Sequence, residues 1–228
     1  VEELMRGHEP SQVQAPLPRF GGKISTGTYG GEKIDIDLID FSKSVREGQN
    51  EGYKYIALLQ DRFSRQMRAR PLRTKDVGEV TAAYQEMLDE GVRSGDWPDY
   101  PQEISSDSEG AFLSPIFQRM VQSKGVGTYR PKFRTREGQN ATAQLDAAIG
   151  KFKNTMRKLR GADREWYRFV EPTALAYNDR KHLGLRMSTP NQIADAGLDN
   201  PATAVGAFQQ QEKESENLQE SQAWADKK

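Results

Sequence analysis

Three aspartates, Asp37, Asp107 and Asp146, stand where metal-assisted phosphoryl chemistry would want carboxylates. Asp37 lies midway along an alternating run, Asp107 closes a short strand-like run before Ser108-Glu109-Gly110, and Asp146 sits near the start of a long helical pattern. Carboxylates at strand ends open onto the crevice in which α/β sheets bind ligands. Carboxylates from separate elements can hold magnesium ions, which take oxygen ligands and keep several waters. A pair of such ions activates an attacking oxygen and steadies the leaving one in phosphoryl transfer.

The element that must position Asp37 is Lys33-Ile34-Asp35-Ile36-Asp37-Leu38-Ile39-Asp40-Phe41. Its period of two puts Ile34, Ile36 and Leu38 on one face and Asp35, Asp37 and Ile39 on the other. Carboxylates inside such a β-prone run are costly to desolvate without a positive partner. Two readings follow. One is an edge strand whose aspartates face solvent and guard against edge-to-edge pairing. The other is a strand that presents Asp37 to a divalent cation.

Asp146 has cationic neighbours. Lys153 and Arg157 lie seven and eleven positions on, which places them on the same helical strip. Lys151, Lys158 and Arg160 widen the basic patch, and the loop cations Arg130, Lys132, Arg134 and Arg136 add to it. Such a patch can hold phosphates beside the carboxylates, or it can be an ordinary solvated helix face. His182 reads as a structural hydrogen-bonder, Asp61 as a turn residue, and Trp97 and Trp166 as packing groups.

Composition narrows the classes. Lysine plus arginine equals aspartate plus glutamate at 33 each, so no global basic field draws in nucleic acid and any such binding must be local. There is no cysteine, which excludes disulfides and thiolate metal sites. No apolar run approaches a membrane span. With 35% hydrophobic residues and a mean hydropathy of −0.84, part of the chain reads as polar extension around one domain. The sequence opens at Val1, so any targeting segment lies outside it.

Residues 1–30, broken by Pro10, Pro16, Pro18 and several glycines, read as an extended arm. Strands are expected at 33–42, 53–60 and 66–72, an antiparallel meander. Thr74 caps a helix with Asp76 in its first turn; Val77, Val80, Tyr84, Met87 and Leu88 give it a stripe, and Gly91 and Gly95 end it. A strand at 102–106, a helix at 115–124, a strand at 125–129 and a charged loop at 131–140 follow. Leu145, Ile149, Phe152, Met156 and Leu159 step by 4, 3, 4 and 3 along a long helix. A helix over 164–181 offers Trp166, Phe169, Val170, Leu175 and Tyr177 for packing, with Pro172 as its kink or break. Thr189-Pro190 starts a last short helix. Residues 196–228 are a polar tail expected to be ordered by a partner. This order predicts an α/β fold, a mixed five-stranded sheet flanked by helices.

The same residues resemble a family. Asp37-Leu38-Ile39-Asp40-Phe41 is similar to the first catalytic strand of retroelement integrases. Tyr53-Lys54-Tyr55-Ile56, Asp61-Arg62-Phe63-Ser64-Arg65 and Ala69-Arg70-Pro71-Leu72 resemble its next strands. Ser106-Asp107-Ser108-Glu109-Gly110 with Phe112 and Phe117-Gln118 resembles its second catalytic segment. Tyr177-Asn178, His182, Gly184 and Thr189-Pro190-Asn191 resemble its closing signature. The flavour is that of long-terminal-repeat retrotransposon and Maverick/Polinton integrases, over about residues 31–195. This chain departs from the family at Asp146, Ala147 and Ile149, where a glutamate, an arginine and an asparagine are usual. It also has Ile34 in place of a tryptophan, and an interval of 39 from Asp107 to Asp146, a few more than usual. It contains no zinc-binding His-His-Cys-Cys module.

The resemblance implies an RNase H-like fold of the DDE polynucleotidyl transferases. It further implies Mg²⁺ or Mn²⁺, as two ions, on Asp37, Asp107 and Asp146. DNA would be the substrate, held by Lys151, Lys153, Arg157, Arg130 and Lys132, and an active enzyme would work in the nucleus. The alternative is a domesticated, non-catalytic integrase fold, a scaffold that meets protein partners through its arm and tail as an oligomer or complex subunit.

Overall fold

The computed structural model describes residue 27 and residues 29–44, 49–131, 143–185 and 187–199. Residues 1–26 and 28 of the expected arm (1–30) and residues 200–228 of the expected tail (196–228) lie outside the described residues, as do Lys132 and the cations of the 131–140 loop beyond it. Residues 29–32 lean on the core: the Gly31 N–H donates to Asp61 at 3.1 Å, and the Glu32 carbonyl accepts from Gln102 and Glu103.

Five strands form one mixed sheet: β1 (Lys33–Asp40), β2 (Tyr55–Asp61), β3 (Met67–Leu72), β4 (Glu103–Ser106) and β5 (Thr128–Pro131), in the order β3-β2-β1-β4-β5. The first three are antiparallel neighbours, whereas β4 runs parallel to β1 and β5 parallel to β4. The parallel pairs need crossovers, which the helices supply. The helices are α1 (Val77–Arg93), α2 (Gly110–Leu113), α3 (Pro115–Ser123), α4 (Ala143–Arg160), α5 (Val170–Asn178) and α6 (Pro190–Asp199). One core joins Ile34, Ile36 and Leu38 to α1, α2 and α3; the other joins Ile39, Ile56 and Leu58 to α4 and α5.

The edge-strand reading of β1 is therefore corrected. β1 is the central strand, and both its faces are covered. Asp35 is buried, and Arg62 supplies the positive partner that its burial demands: Nε and Nη2 donate to its two oxygens at 2.9 and 2.6 Å. β5 begins later than expected because Gly125, at φ +75°, turns the chain first.

α1 starts at Val77 with Asp76 at the cap, not at Thr74. Thr74 instead accepts from the Asp76 N–H, while Glu79 accepts from Arg73 and Thr74. Gly91 does not end α1 but lies inside it, where an added Cβ would come within 2.3 Å of the Trp97 ring. A Cβ added at Gly31 would come within 2.4 Å of the same side chain, so the buried Trp97 packs closely against two glycines. The 164–181 helix divides into a 3-10 turn (Trp166–Phe169) and α5. Pro172 falls in the first turn of α5, where its missing N–H has no helical partner to lose. Leu175 is 63% exposed and Leu159 46% exposed, against expectation: each stands outside the strip that faces the sheet. Thr189 and Gln192 cap α6 reciprocally, at 3.0 and 3.1 Å.

β3 and β5 are the two edges of the sheet, and β3 carries a side-chain clamp. The N–H and C=O of Met67, the first residue of β3, are both taken by the Asn178 amide, at 2.8 and 2.9 Å, so a side chain stands in for a neighbouring strand. Pro71 offers no N–H, and the Ala69 carbonyl accepts from Arg70. Asn178→Ala is expected to destabilise the protein by about 2 kcal/mol, since it leaves two buried backbone groups unpaired. Urea denaturation measures it, and an unchanged midpoint would refute the edge clamp.

Candidate active site

Asp37 and Asp107 come together through the β1–β4 ladder. Its last pair is Ile36 with Ser106, and the next residue on each strand is the aspartate. Neighbouring strands lie about 4.8 Å apart, so the two backbones enter the site side by side. Alternation puts the Asp37 carboxylate on the face of Ile39, which packs against Leu145, Ala148 and Ile149 of α4. Asp146 sits in the first turn of α4, on that same side of the sheet.

Electrostatics register the convergence. The Asp37 carboxyl is pushed up from 3.8 to about 6, chiefly by burial and then by the charge of Asp107, with Asp146 and Glu109 adding to it. The Leu38 N–H, at 2.8 Å, works the other way. Four carboxylates thus share one field. Glu109 belongs to this group although the sequence marked only the aspartates; its place two residues after Asp107 was the available signal. Lys75 pairs with Glu109 at 2.9 Å and neutralises part of the cluster. The Asp107 carboxylate accepts from the Glu109 N–H at 3.3 Å, which holds the turn into α2.

Hard carboxylate oxygens that raise one another's proton affinity are the donor chemistry that suits a magnesium-type cation. As the side chains stand, no three acidic, histidine or cysteine groups among the described residues are close enough together to hold one ion.

The cations separate. Lys153 and Arg157 are exposed on the α4 strip that carries Asp146. The Lys153 ammonium stands 5.9 Å above the Phe41 ring, at the end of β1, and Arg157 donates to Asn154 at 2.7 Å. Lys151 lies toward His182 instead, and its charge helps to hold that imidazole below its usual range, after burial. Arg130 is in β5, but its side chain lies outside what is described, as does Lys132.

The structural readings hold for the rest. His182 is buried, its ring 3.2 Å from the Tyr177 carbonyl. Asp61 is buried and accepts from Gly31, Phe63 and Ser64. Trp166 is buried and stacks on Phe41 at 5.0 Å.

No protein-family model matches this sequence, and no curated protein sequence does. Solved structures do match. A chain of the simian T-cell lymphotropic virus intasome in complex with PP2A regulatory subunit B56 gamma aligns over 78% of this chain, at TM-score 0.59 and 14% identity; the match spans 60% of that chain. The HTLV-2 integrase catalytic core domain in complex with magnesium aligns over 73% of this chain and 97% of its own, at TM-score 0.56 and 16% identity. The catalytic core domain of BIV integrase aligns over 72% and 94%, at TM-score 0.55 and 12% identity. At such identities the likeness shows the fold: this chain has the RNase H-like fold of integrase catalytic cores, a mixed five-stranded sheet flanked by helices.

Proposed function

We propose that this chain is an integrase-type catalytic core that joins DNA ends into target DNA. The observation that carries the reading is the β1–β4 ladder, which ends at Ile36 with Ser106 and so brings Asp37 and Asp107 in side by side; burial first, then the charges of Asp107, Asp146 and Glu109, raise the Asp37 carboxyl there. Asp37, Asp107 and Asp146 would hold two Mg²⁺ or Mn²⁺ ions. When bound, such ions stabilise the charge on the attacking and leaving oxygens of an in-line phosphoryl transfer. The residues do the rest by placement. Asp37 and Asp107 are fixed by neighbouring strands, and Asp146 approaches from α4. Lys153 and Arg157 present cations along the same helix, where a DNA backbone would run. The quoted motifs favour the long-terminal-repeat retrotransposon or Maverick/Polinton type.

A second reading has its own support. Asp146, Ala147 and Ile149 replace the family's usual third motif, and the carboxylates do not stand as a closed ligand set. These favour a domesticated fold that serves as a scaffold, with residues 1–30 and 196–228 as its partner-binding extensions around a core at 31–195. Incubation with labelled DNA duplexes and Mg²⁺ or Mn²⁺ separates the two. Joined products are expected from the enzyme; folded protein that yields none and is not retained on DNA at low salt favours the scaffold.

Two substitutions probe the α4 strip. Lys153→Ala and Arg157→Ala are each expected to lower the salt slope of DNA binding by about 1, with similar loss on every sequence. Titrations across a range of salt measure this, and unchanged slopes would reduce the strip to a solvated helix face.

A further inference from the structure

The β1–β4 ladder stops one residue short of the candidate site, so no rung of it joins Asp37 to Asp107. A second set of bonds, on the opposite side of the sheet, continues where the ladder ends. The buried Tyr84 hydroxyl of α1 donates to the Asp37 carbonyl at 2.6 Å and lies 3.2 Å from the Leu58 carbonyl beside it. Its ring meets Phe112 and Phe117 edge-on at 5.5 and 5.8 Å. Phe117 in turn touches the Tyr129 ring at 5.8 Å. The Tyr129 hydroxyl is 2.9 Å from both the Phe112 carbonyl and Ser106 Oγ, and Ser106 Oγ is 2.9 Å from the Asp107 carbonyl. One continuous path of rings and hydroxyls therefore runs from the backbone of Asp37 to the backbone of Asp107.

We propose that Tyr84 and Tyr129 are positioning residues that together set the separation of Asp37 and Asp107 from behind the sheet. Neither touches a reacting atom. Tyr84 bonds the Asp37 carbonyl directly, Tyr129 reaches the Asp107 carbonyl through Ser106 Oγ, and the aromatic cluster couples the two. Residues that orient ligands in this way change metal affinity by about 10- to 100-fold when altered. The inference rests on the reading of Asp37 and Asp107 as metal-holding residues.

The test uses Tyr84→Phe and Tyr129→Phe, which keep the rings and remove only the hydroxyls. Tyr100→Phe is the control: its hydroxyl bonds to Asp89 at 2.8 Å, outside the path. Mn²⁺ alone is titrated into each folded protein. Tyr84→Phe and Tyr129→Phe are each expected to weaken Mn²⁺ binding by about 10-fold, the double variant by less than the product of the two, and Tyr100→Phe not at all. Wild-type affinity in either path variant, or losses that simply multiply, would overturn the proposal. If the wild-type protein binds no Mn²⁺, the DNA-joining reading fails and the coupling is judged by amide resonances instead. Tyr84→Phe should then shift the Asp107 amide and Tyr129→Phe the Asp37 amide; unmoved signals would overturn the coupling as well.

Discussion

Asp37→Asn is expected to lower DNA joining by about 10³-fold, the scale on which loss of one preorganised charge-stabilising group acts. That corresponds to about 4 kcal/mol at the transition state. The substitution is close to isosteric, and its side-chain oxygen can still accept from the Leu38 N–H, as the carboxylate does at 2.8 Å. What it removes is the negative charge at the centre of a group that also contains Asp107, Asp146 and Glu109. The loss would therefore report charge, not packing. Quantified joined product from wild type and variant under identical Mn²⁺ decides the matter. Joining at the wild-type rate would take Asp37 out of the chemistry.

The alternation around Asp37 was enough to read a strand, and turn and helix signals gave the order of the elements. Alternation could not reveal that both faces of β1 are covered. That depends on α1, α2 and α3 packing on one side and α4 and α5 on the other, and on Arg62, 27 residues away, neutralising Asp35. Pro172 was legible as a break in a helix, but the break precedes it, because a proline costs nothing in a first turn. Leu159 and Leu175 fit a helical stripe by type, yet only their position relative to the sheet decides burial. Of the candidate site, the three aspartates were visible through motif resemblance. Glu109 and Lys75 were not, because their pairing joins the segment before α1 to the one before α2. Tyr84 read as part of a helical stripe and Tyr129 as the end of a strand, since spacing conveys nothing about what a hydroxyl meets.

In the absence of divalent cations the wild-type protein is expected to lose stability as pH rises from about 4 to 6, and Asp37→Asn is expected to escape that loss. The Asp37 carboxyl titrates at about 6 in the folded state against 3.8 as its ordinary value. Between those limits the folded chain keeps a proton that the unfolded chain releases. Stability therefore falls with rising pH, by about 3 kcal/mol at most once the folded group has ionised. Asp40, Glu79 and Asp89 are shifted the other way, by hydrogen bonds or nearby cations, and Asp61 is raised by burial. The raw stability curve sums all of these, so the difference between wild type and Asp37→Asn is the quantity to read. Urea denaturation from pH 4 to 7.5 in chelator gives it, and parallel curves would remove the electrostatic case for the site. Mg²⁺ at 100 times its dissociation constant is then expected to return about 2.7 kcal/mol to the wild type, more fully at pH 7.5 than at pH 5, where protons compete for the same oxygens. The relief separates the two functional readings without any DNA. A protein that carries the repulsion and gains nothing from the ion has kept the carboxylates of an integrase core without its chemistry.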